Sequence, residues 1–215
     1  MITFQKFVFN LFYENTYVIW EQKSKEGMIV DPGCYTEDEK QELKNYITEN
    51  NISVKYLVLT HCHLDHIFGC KFVKEEFNPI FLSPEKDNFL LEKAGMQAEL
   101  FQIEVDEIPF PDKYLDRNSD LTLSNTKPKI IFTPGHTPGE YCILFEEEKV
   151  CLSGDVLFNG SIGRTDLWGG DMNTLMNSIK KEILVLDDDV KILTGHGEES
   201  TIGHERKFNP FLQES

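Results

Sequence analysis

Hydrophobic and polar positions along the chain predict short strands in both halves of the sequence. Thr3–Phe9 and Thr16–Trp20 have the strand pattern, and Glu14-Asn15 is the predicted turn between them. The continuous apolar run Lys55–Thr60 is typical of a buried strand. Further strands are predicted at Gly27–Val30, Ile80–Leu82, Leu121–Leu123, Lys129–Phe132, Tyr141–Phe145, Lys149–Ser153 and Val190–Leu193.

Helices are predicted between these strands. Thr36 and Glu39 form a capping box, which predicts a helix over Thr36–Asn50. The proline-containing, acid-rich stretch Gly95–Asp120 predicts a long loop. This order favours the α/β class, with two sheets and helices outside them, in a single domain over residues 1–215. The other predicted helices are Ile67–Glu76, Pro84–Ala94 and Met172–Leu184.

Composition narrows the range of partners. The 215 residues include 21 Lys and Arg against 37 Asp and Glu, a net charge of −16, which argues against binding nucleic acid or an anionic membrane surface. The five cysteines are odd in number and contain no CxxC pair, as expected for a reducing compartment. The sequence has neither a signal-peptide pattern nor an apolar stretch long enough to span a bilayer, so we expect a cytoplasmic protein.

Half of the six histidines fall in one short motif. His61, His63, Asp65 and His66 form the pattern HxHxDH directly after the predicted buried strand Lys55–Thr60. His61 and His63 are two residues apart in an extended segment and therefore point the same way. Buried imidazoles and carboxylates are costly without compensation, so this cluster predicts a metal site.

Three more candidate ligands also follow predicted strands. His136 lies in TPGHTPG, Asp155 in SGD and His196 in GHG. Neutral imidazole and carboxylate are the ligands of Zn²⁺, Fe²⁺ and Mn²⁺. We interpret His204, which has no partner motif, as a structural residue. Asp31, in its Asp-Pro-Gly context, is interpreted as a turn residue, with support of a metal ligand as the alternative.

The motifs HxHxDH, TPGHTPG, SGD and GHG, in this order, resemble the metallo-β-lactamase superfamily over almost the whole chain. The stretches GDVLFNGSIGRTDLWGGD and TGHGEESTIGHERKFNPFL are similar to those of short, single-domain glyoxalase II-like hydrolases. The resemblance implies a four-layer αββα sandwich and two divalent metal ions, preferably zinc, with iron or manganese as alternatives. It implies that His61, His63 and His136 hold the first metal, that Asp65, His66 and His196 hold the second, and that Asp155 bridges both.

The resemblance also implies an activity, that of a metal-dependent hydroxyacylglutathione hydrolase. Such an enzyme cleaves small-molecule thioesters such as S-lactoylglutathione by attack of a metal-bound hydroxide, and Asp65 is the expected acceptor of the hydroxide proton. A thiol has a pKa of about 8.5, so a thiolate can leave without a strong general acid, whereas an amide nitrogen cannot. Thioesters therefore suit the site better than peptides. The oligomeric state is left open.

The same motifs are compatible with three alternative functions. Persulfide dioxygenases of the same fold use one Fe²⁺ held by the equivalents of His61, His136 and Asp155. Lactonases open an ester ring with the same dinuclear site. The third alternative is a metal-binding or sensor protein without catalysis. Metal content, measured together with thioester hydrolysis and O₂ consumption on a persulfide, separates most of them.

Some residues depart from the family pattern or have more than one interpretation. The commonest metallo-β-lactamases have Cys where this chain has Asp155, so antibiotic hydrolysis is not expected. Full-length glyoxalase II continues into a C-terminal helical domain, whereas this chain ends shortly after the GHG motif, so we expect weak saturation with glutathione thioesters.

Arg164 could bind a substrate carboxylate, but we favour a pairing with Asp166 that braces the loop following Asp155. Glu140 stands where many relatives have a small residue.

Overall fold

Residues 1–213 are described by a computed structural model, in which the chain forms two units, each with its own main sheet. The first unit comprises Met1–Leu115 and Leu121–Thr126, and the second comprises Asp116–Asp120 and the chain from Lys127 onward. The prediction of one domain over residues 1–215 stays a prediction. No helix within residues 1–213 has both the length and the apolar character needed to cross a bilayer.

The first unit is built on a six-stranded mixed sheet in the order β1-β2-β3-β4-β5-β6. The pairs β1–β2 and β2–β3 are antiparallel, and the three remaining pairs are parallel. The strands are β1 (Ile2–Phe9), β2 (Glu14–Glu21), β3 (Glu26–Val30), β4 (Ser53–Val58), β5 (Ile80–Pro84) and β6 (Lys113–Leu115). The helices are α1 (Glu37–Glu49), α2 (Cys70–Phe77), α3 (Asn88–Glu92) and α4 (Ala94–Phe101), with 3₁₀ turns at Leu64–His66 and Glu85–Asp87.

The β1–β2 hairpin differs from the prediction at its turn. Phe9 pairs with Glu14, so Glu14 and Asn15 lie in β2 and the chain reverses at residues 10–13. Asn10 and Tyr13 have positive φ values of 52° and 57°, which the tight reversal requires. The predicted turn at Glu14-Asn15 is wrong because the polar character of these residues reflects a buried polar network and not exposure to solvent.

Helix α1 begins where its capping box predicts. The Thr36 hydroxyl accepts the Glu39 N–H at 3.3 Å, and the Glu39 carboxylate accepts the Thr36 N–H at 2.8 Å. Leu43 and Ile47, one turn apart, are buried against the first unit's core. This helix is therefore confirmed, including its N-terminal cap.

Three predictions in the middle of the chain need correction. The predicted helix Pro84–Ala94 is a 3₁₀ turn followed by the short helix α3, and the predicted loop Gly95–Asp120 contains most of α4 and all of β6. The predicted strand Leu121–Leu123 contributes only an isolated bridge from Leu123 to Thr126. Strand β6 has just three residues, two of them exposed, so the alternation that marks a longer strand is absent.

The second unit contains a five-stranded sheet in the order β13-β12-β9-β8-β7 and a small β10–β11 hairpin. The pair β9–β12 is parallel and the other pairs are antiparallel. The strands are β7 (Lys129–Phe132), β8 (Tyr141–Phe145), β9 (Val150–Gly154), β10 (Leu157–Phe158), β11 (Ser161–Ile162), β12 (Lys191–Thr194) and β13 (Ser200–Thr201). The helices are α5 (Met172–Ser178), which continues as one π-helical segment at Ile179–Ile183, α6 (Ile202–Phe208) and α7 (Pro210–Gln213).

Candidate metal centre

The HxHxDH motif of the first unit begins just beyond the end of β4, where the chain leaves the sheet. The His61 and His63 rings lie 5.0 Å apart between centroids, and the His61 and His66 rings lie 4.1 Å apart. Asp65 and His66 are held in the 3₁₀ turn that follows. All three histidines are buried and Asp65 is half-buried. The structure thus brings together the four residues that the motif singled out.

Thr60 and Asp31 determine which nitrogen of His61 carries the proton. The Asp31 carboxylate accepts the Thr60 N–H at 2.7 Å and the Thr60 hydroxyl proton at 2.6 Å. The Thr60 hydroxyl has only that one proton, so at 3.1 Å from His61 Nδ1 it acts as the acceptor and Nδ1 donates. In the neutral ring the lone pair then lies on Nε2, as a metal ligand requires.

Carboxylates lie near both ring nitrogens of the buried His66. Its Nδ1 lies 3.3 Å from Asp31 Oδ2 and 3.9 Å from Glu14 Oε1, and its Nε2 lies 3.6 Å from Asp65 Oδ2. The pKa of Glu14 is raised well above its usual range, chiefly because the side chain is buried. The negative charges of Asp31 and Asp65 raise it further.

A polar network connects the hairpin turn of the first unit to Asp65. The Asn10 side-chain amide donates to the main-chain oxygens of Gly33 at 2.9 Å and of Asp65 at 3.0 Å. The Asn10 N–H donates to Glu39 Oε1 at 2.7 Å. Asn10, Glu14 and Thr60 were not singled out from the sequence. Asp31, interpreted as a turn residue, does have a positive φ of 50°, but it also contacts two residues of the metal motif region.

The second unit brings its three predicted ligands together around one carboxylate. Asp155 Oδ2 lies 3.5 Å from His136 Nε2 and 3.6 Å from His196 Nε2. Asp155 follows β9 directly and His196 follows β12, and these two strands are parallel neighbours. The Thr194 hydroxyl donates to the His196 main-chain oxygen at 2.7 Å, which restrains the His196 loop.

The proton on His136 is also determined by a hydrogen bond. His136 Nδ1 lies 2.7 Å from the main-chain oxygen of Arg164, and because a carbonyl only accepts, Nδ1 donates and the lone pair lies on Nε2. The Arg164 side chain binds the Asp166 carboxylate through two hydrogen bonds of 2.7 and 2.8 Å. This pairing lowers the pKa of Asp166 to about 2.

The distances within each unit fit a shared cation. Two ligands bound about 2.1 Å from a tetrahedral zinc ion are separated by about 3.4 Å. The observed nitrogen–oxygen separations are 3.6 Å for His66 and Asp65, 3.5 Å for His136 and Asp155, and 3.6 Å for His196 and Asp155. The donor atoms are imidazole nitrogens and carboxylate oxygens, which suit zinc, iron and manganese. The residues present therefore fit divalent metal binding.

Two other residues, His204 and Cys62, have surroundings that indicate a structural role. His204 is exposed, and its ring lies 5.1 Å from the Phe208 ring. Cys62, between the candidate ligands His61 and His63 in the sequence, is buried in the first unit's core, and burial raises the pKa of its thiol well above the usual range. All five cysteines within the described residues are buried thiols without disulfide bonds. A buried thiol with a raised pKa is a poor nucleophile.

The family is established by comparison with known proteins. The sequence model of the metallo-β-lactamase superfamily matches residues 10–196. The chain belongs to the metallo-β-lactamase superfamily. Among its superfamily relatives, the hydroxyacylglutathione hydrolase GloC of Haemophilus influenzae is 40% identical over 203 residues, which cover 94% of this chain and 93% of that protein.

Similar solved structures agree with this assignment. A structure described as BLEG-1 B3 metallo-β-lactamase has a TM-score of 0.89 and 32% identity, and the match covers 98% of this chain and 99% of that one. TTHA1623, solved in a di-iron-bound form, has a TM-score of 0.86 and 28% identity, with 97% of this chain and 100% of that one covered. The predicted α/β fold of the metallo-β-lactamase type is confirmed, and the chain belongs among the metal-dependent hydrolases.

Proposed function

We propose that this superfamily member is a thioesterase of the glyoxalase II class, which hydrolyses S-acyl thioesters such as S-lactoylglutathione. The observation that carries the proposal is the 40% identity to a hydroxyacylglutathione hydrolase over 94% of the chain. The identity spans both units and all four ligand motifs rather than one segment, because the aligned 203 residues leave little of the chain uncovered.

We also propose that seven residues form a dinuclear metal centre. Support comes from the ligand–ligand separations inside each unit, from the hydrogen bonds that place the lone pairs of His61 and His136 on Nε2, and from the di-iron form of a structural relative. Zinc is the preferred metal on donor chemistry, with iron and manganese as alternatives. The proposed ligands are His61, His63 and His136 for the first metal, Asp65, His66 and His196 for the second, and Asp155 for both.

Two divalent cations at these residues would supply a hydroxide at neutral pH by lowering the pKa of a water molecule, and would attract the charge that develops on the carbonyl oxygen. A side chain of the protein then accepts the proton of that hydroxide. Asp65 accepts it on its carboxylate, whose position is restrained through the Asn10 bond to the Asp65 main-chain oxygen. A thiolate leaves without protonation because a thiol has a pKa of about 8.5.

Metal stoichiometry tests the ligand set. Protein purified without chelator and then incubated with excess Zn²⁺ should contain two metal ions per chain by elemental analysis. His136→Ala should lower this number, whereas His204→Ala should leave it unchanged because the His204 ring lies against Phe208. A stoichiometry that stays near one in the wild type would contradict the dinuclear centre and favour the mononuclear dioxygenase.

Substrate assays test the activity itself. The wild type should hydrolyse S-lactoylglutathione, and Asp65→Asn should lower turnover more than it changes substrate affinity, since it removes a ligand and the proton acceptor together. Parallel assays should include a lactone, a β-lactam and glutathione persulfide with an oxygen electrode. The β-lactam is included because a structural relative is described as a B3 metallo-β-lactamase. O₂ uptake by the iron form without thioester hydrolysis would overturn the proposal.

A further inference from the structure

Glu140 is a buried acid beside the ligands of the second unit, with 0% of its surface exposed. We propose that Glu140 is a positioning residue that sets the separation between His136 and Asp155. Its side-chain Oε1 accepts the main-chain N–H of Asp155 at 2.8 Å. This inference rests on the proposed metal centre, in which both of those residues are ligands.

Glu140 connects the two ligand-bearing segments directly. Its main-chain oxygen accepts the Thr133 N–H at 2.9 Å, which closes the loop that carries His136. Its side chain reaches the other segment at the Asp155 amide. Glu140 therefore binds Thr133, at the start of the His136 loop, through its main chain. It binds Asp155 through its carboxylate. Through this connection Glu140 would set the separation of His136 Nε2 and Asp155 Oδ2, which is 3.5 Å.

The Asp155 amide needs such an acceptor because of its place in the fold. Asp155 comes directly after β9, and Gly154, the last residue of that strand, has a positive φ of 50°. The chain turns away from the sheet here, and the Asp155 N–H is directed to the Glu140 carboxylate and not to a neighbouring strand. A buried N–H that lost its acceptor would cost free energy, so the Asp155 turn would shift to recover one.

A carboxylate is a costly acceptor to bury because its charge loses contact with water. A glutamine has the same length and would also accept an N–H. Length is therefore the property to test separately from charge. Glu140→Gln keeps the reach and an acceptor oxygen. Glu140→Asp keeps the carboxylate but is one methylene shorter, and Glu140→Ala removes the acceptor entirely.

The experiment measures Zn²⁺ affinity of the full chain by competition with a chromophoric chelator. We expect Glu140→Gln to bind Zn²⁺ within about threefold of the wild type, and Glu140→Asp and Glu140→Ala to bind at least about tenfold more weakly, as is usual when a residue supporting a ligand is lost. The visible absorption of the Co²⁺-substituted protein should change in the Asp and Ala variants and stay the same in the Gln variant.

Glu205 provides a matched control. It is a second fully buried glutamate in the same unit, and its carboxylate accepts a main-chain N–H from Gly160 at 2.9 Å, together with the Asn209 amide at 2.8 Å. Glu205→Ala should lower the thermal midpoint of the metal-free protein but leave Zn²⁺ affinity within about threefold of the wild type. This comparison separates positioning from general destabilisation.

The outcomes are distinguishable. A wild type that binds no Zn²⁺, Fe²⁺ or Mn²⁺ would overturn the proposed metal centre and the inference with it. A wild type that binds Zn²⁺ while Glu140→Ala and Glu140→Asp bind equally well would overturn only the positioning role. Loss of affinity in Glu140→Gln equal to that in Glu140→Asp would also overturn it, because keeping the reach and an acceptor oxygen would then not preserve binding.

Discussion

Thr60 illustrates how a single hydroxyl controls the proton position on a proposed metal ligand. Its proton goes to Asp31 at 2.6 Å, so it accepts from His61 Nδ1 at 3.1 Å. This arrangement keeps the lone pair of His61 on Nε2. The Arg164 main-chain oxygen arranges His136 in the same way. Each unit therefore contains a proposed ligand whose protonated nitrogen is set by a hydrogen bond.

Replacing Thr60 with valine should therefore weaken metal binding with little change in shape. Thr60→Val removes the acceptor of His61 Nδ1 and the hydroxyl donor to Asp31, while the Thr60 main-chain N–H to Asp31 remains. We expect Zn²⁺ affinity to fall by about 10- to 100-fold, measured by chelator competition.

The matched control for this prediction is Thr48→Val. Thr48 is an exposed residue of α1 whose hydroxyl donates to the Lys44 main-chain oxygen, so its loss should not alter Zn²⁺ affinity. Equal Zn²⁺ binding by Thr60→Val and the wild type would show that the proton position on His61 does not depend on this hydroxyl.

The candidate ligands could be found from the sequence, but most of their supporting residues could not. Each ligand motif follows a strand, and histidine is rare enough in this chain for its clustering to be informative. The support from Glu14 depends on the β1–β2 hairpin bringing it to His66, and that from Asp31 on the parallel pairing of β3 and β4. These contacts form only in the tertiary structure, so a local sequence pattern cannot predict them.

At the scale of elements, prediction succeeded where a local physical signal existed. The capping box of α1 specifies its own N-terminus, and β7 and β8 have the predicted bounds. The turn at Glu14-Asn15 and the loop at Gly95–Asp120 were wrong in position or extent because tertiary contacts decide both. Glu14 is buried in the network that faces His66, and β6 exists only through its parallel pairing with β5.

Glu39 connects two elements and should contribute to stability at both. Its carboxylate accepts the N–H groups of Tyr35 and Thr36 at the start of α1, and that of Asn10 in the β1–β2 turn. Glu39→Ala should lower the free energy of unfolding by about 1–2 kcal/mol, measured in urea on the metal-free protein.

The control is Glu42→Ala, an exposed position on the same helix, which should change the free energy of unfolding by less than about 0.5 kcal/mol. If the two variants were equally stable, the three hydrogen bonds of Glu39 would contribute nothing beyond what water supplies to the same N–H groups.

At the scale of the whole molecule, the net charge of −16 affects the rate at which charged substrates approach the protein. Two bound divalent cations would cancel only four of these charges, so the field far from the metal centre stays negative. The Arg164 guanidinium, weighed as a substrate contact, already binds the Asp166 carboxylate, which offsets its positive charge. An anionic thioester therefore approaches against a repulsive long-range field.

This repulsion predicts an unusual salt dependence. The screening length falls from about 30 Å at 0.01 M salt to about 8 Å at 0.15 M, so added salt should raise kcat/KM for S-lactoylglutathione by about two- to threefold. A neutral thioester made from lactate and 2-mercaptoethanol is the control, and its kcat/KM should stay constant over the same range. Steady-state hydrolysis of both substrates in NaCl between 0.01 and 0.15 M measures the effect. A decrease in kcat/KM for the anionic substrate alone would mean that local positive charge at the metal centre outweighs the net charge of the chain.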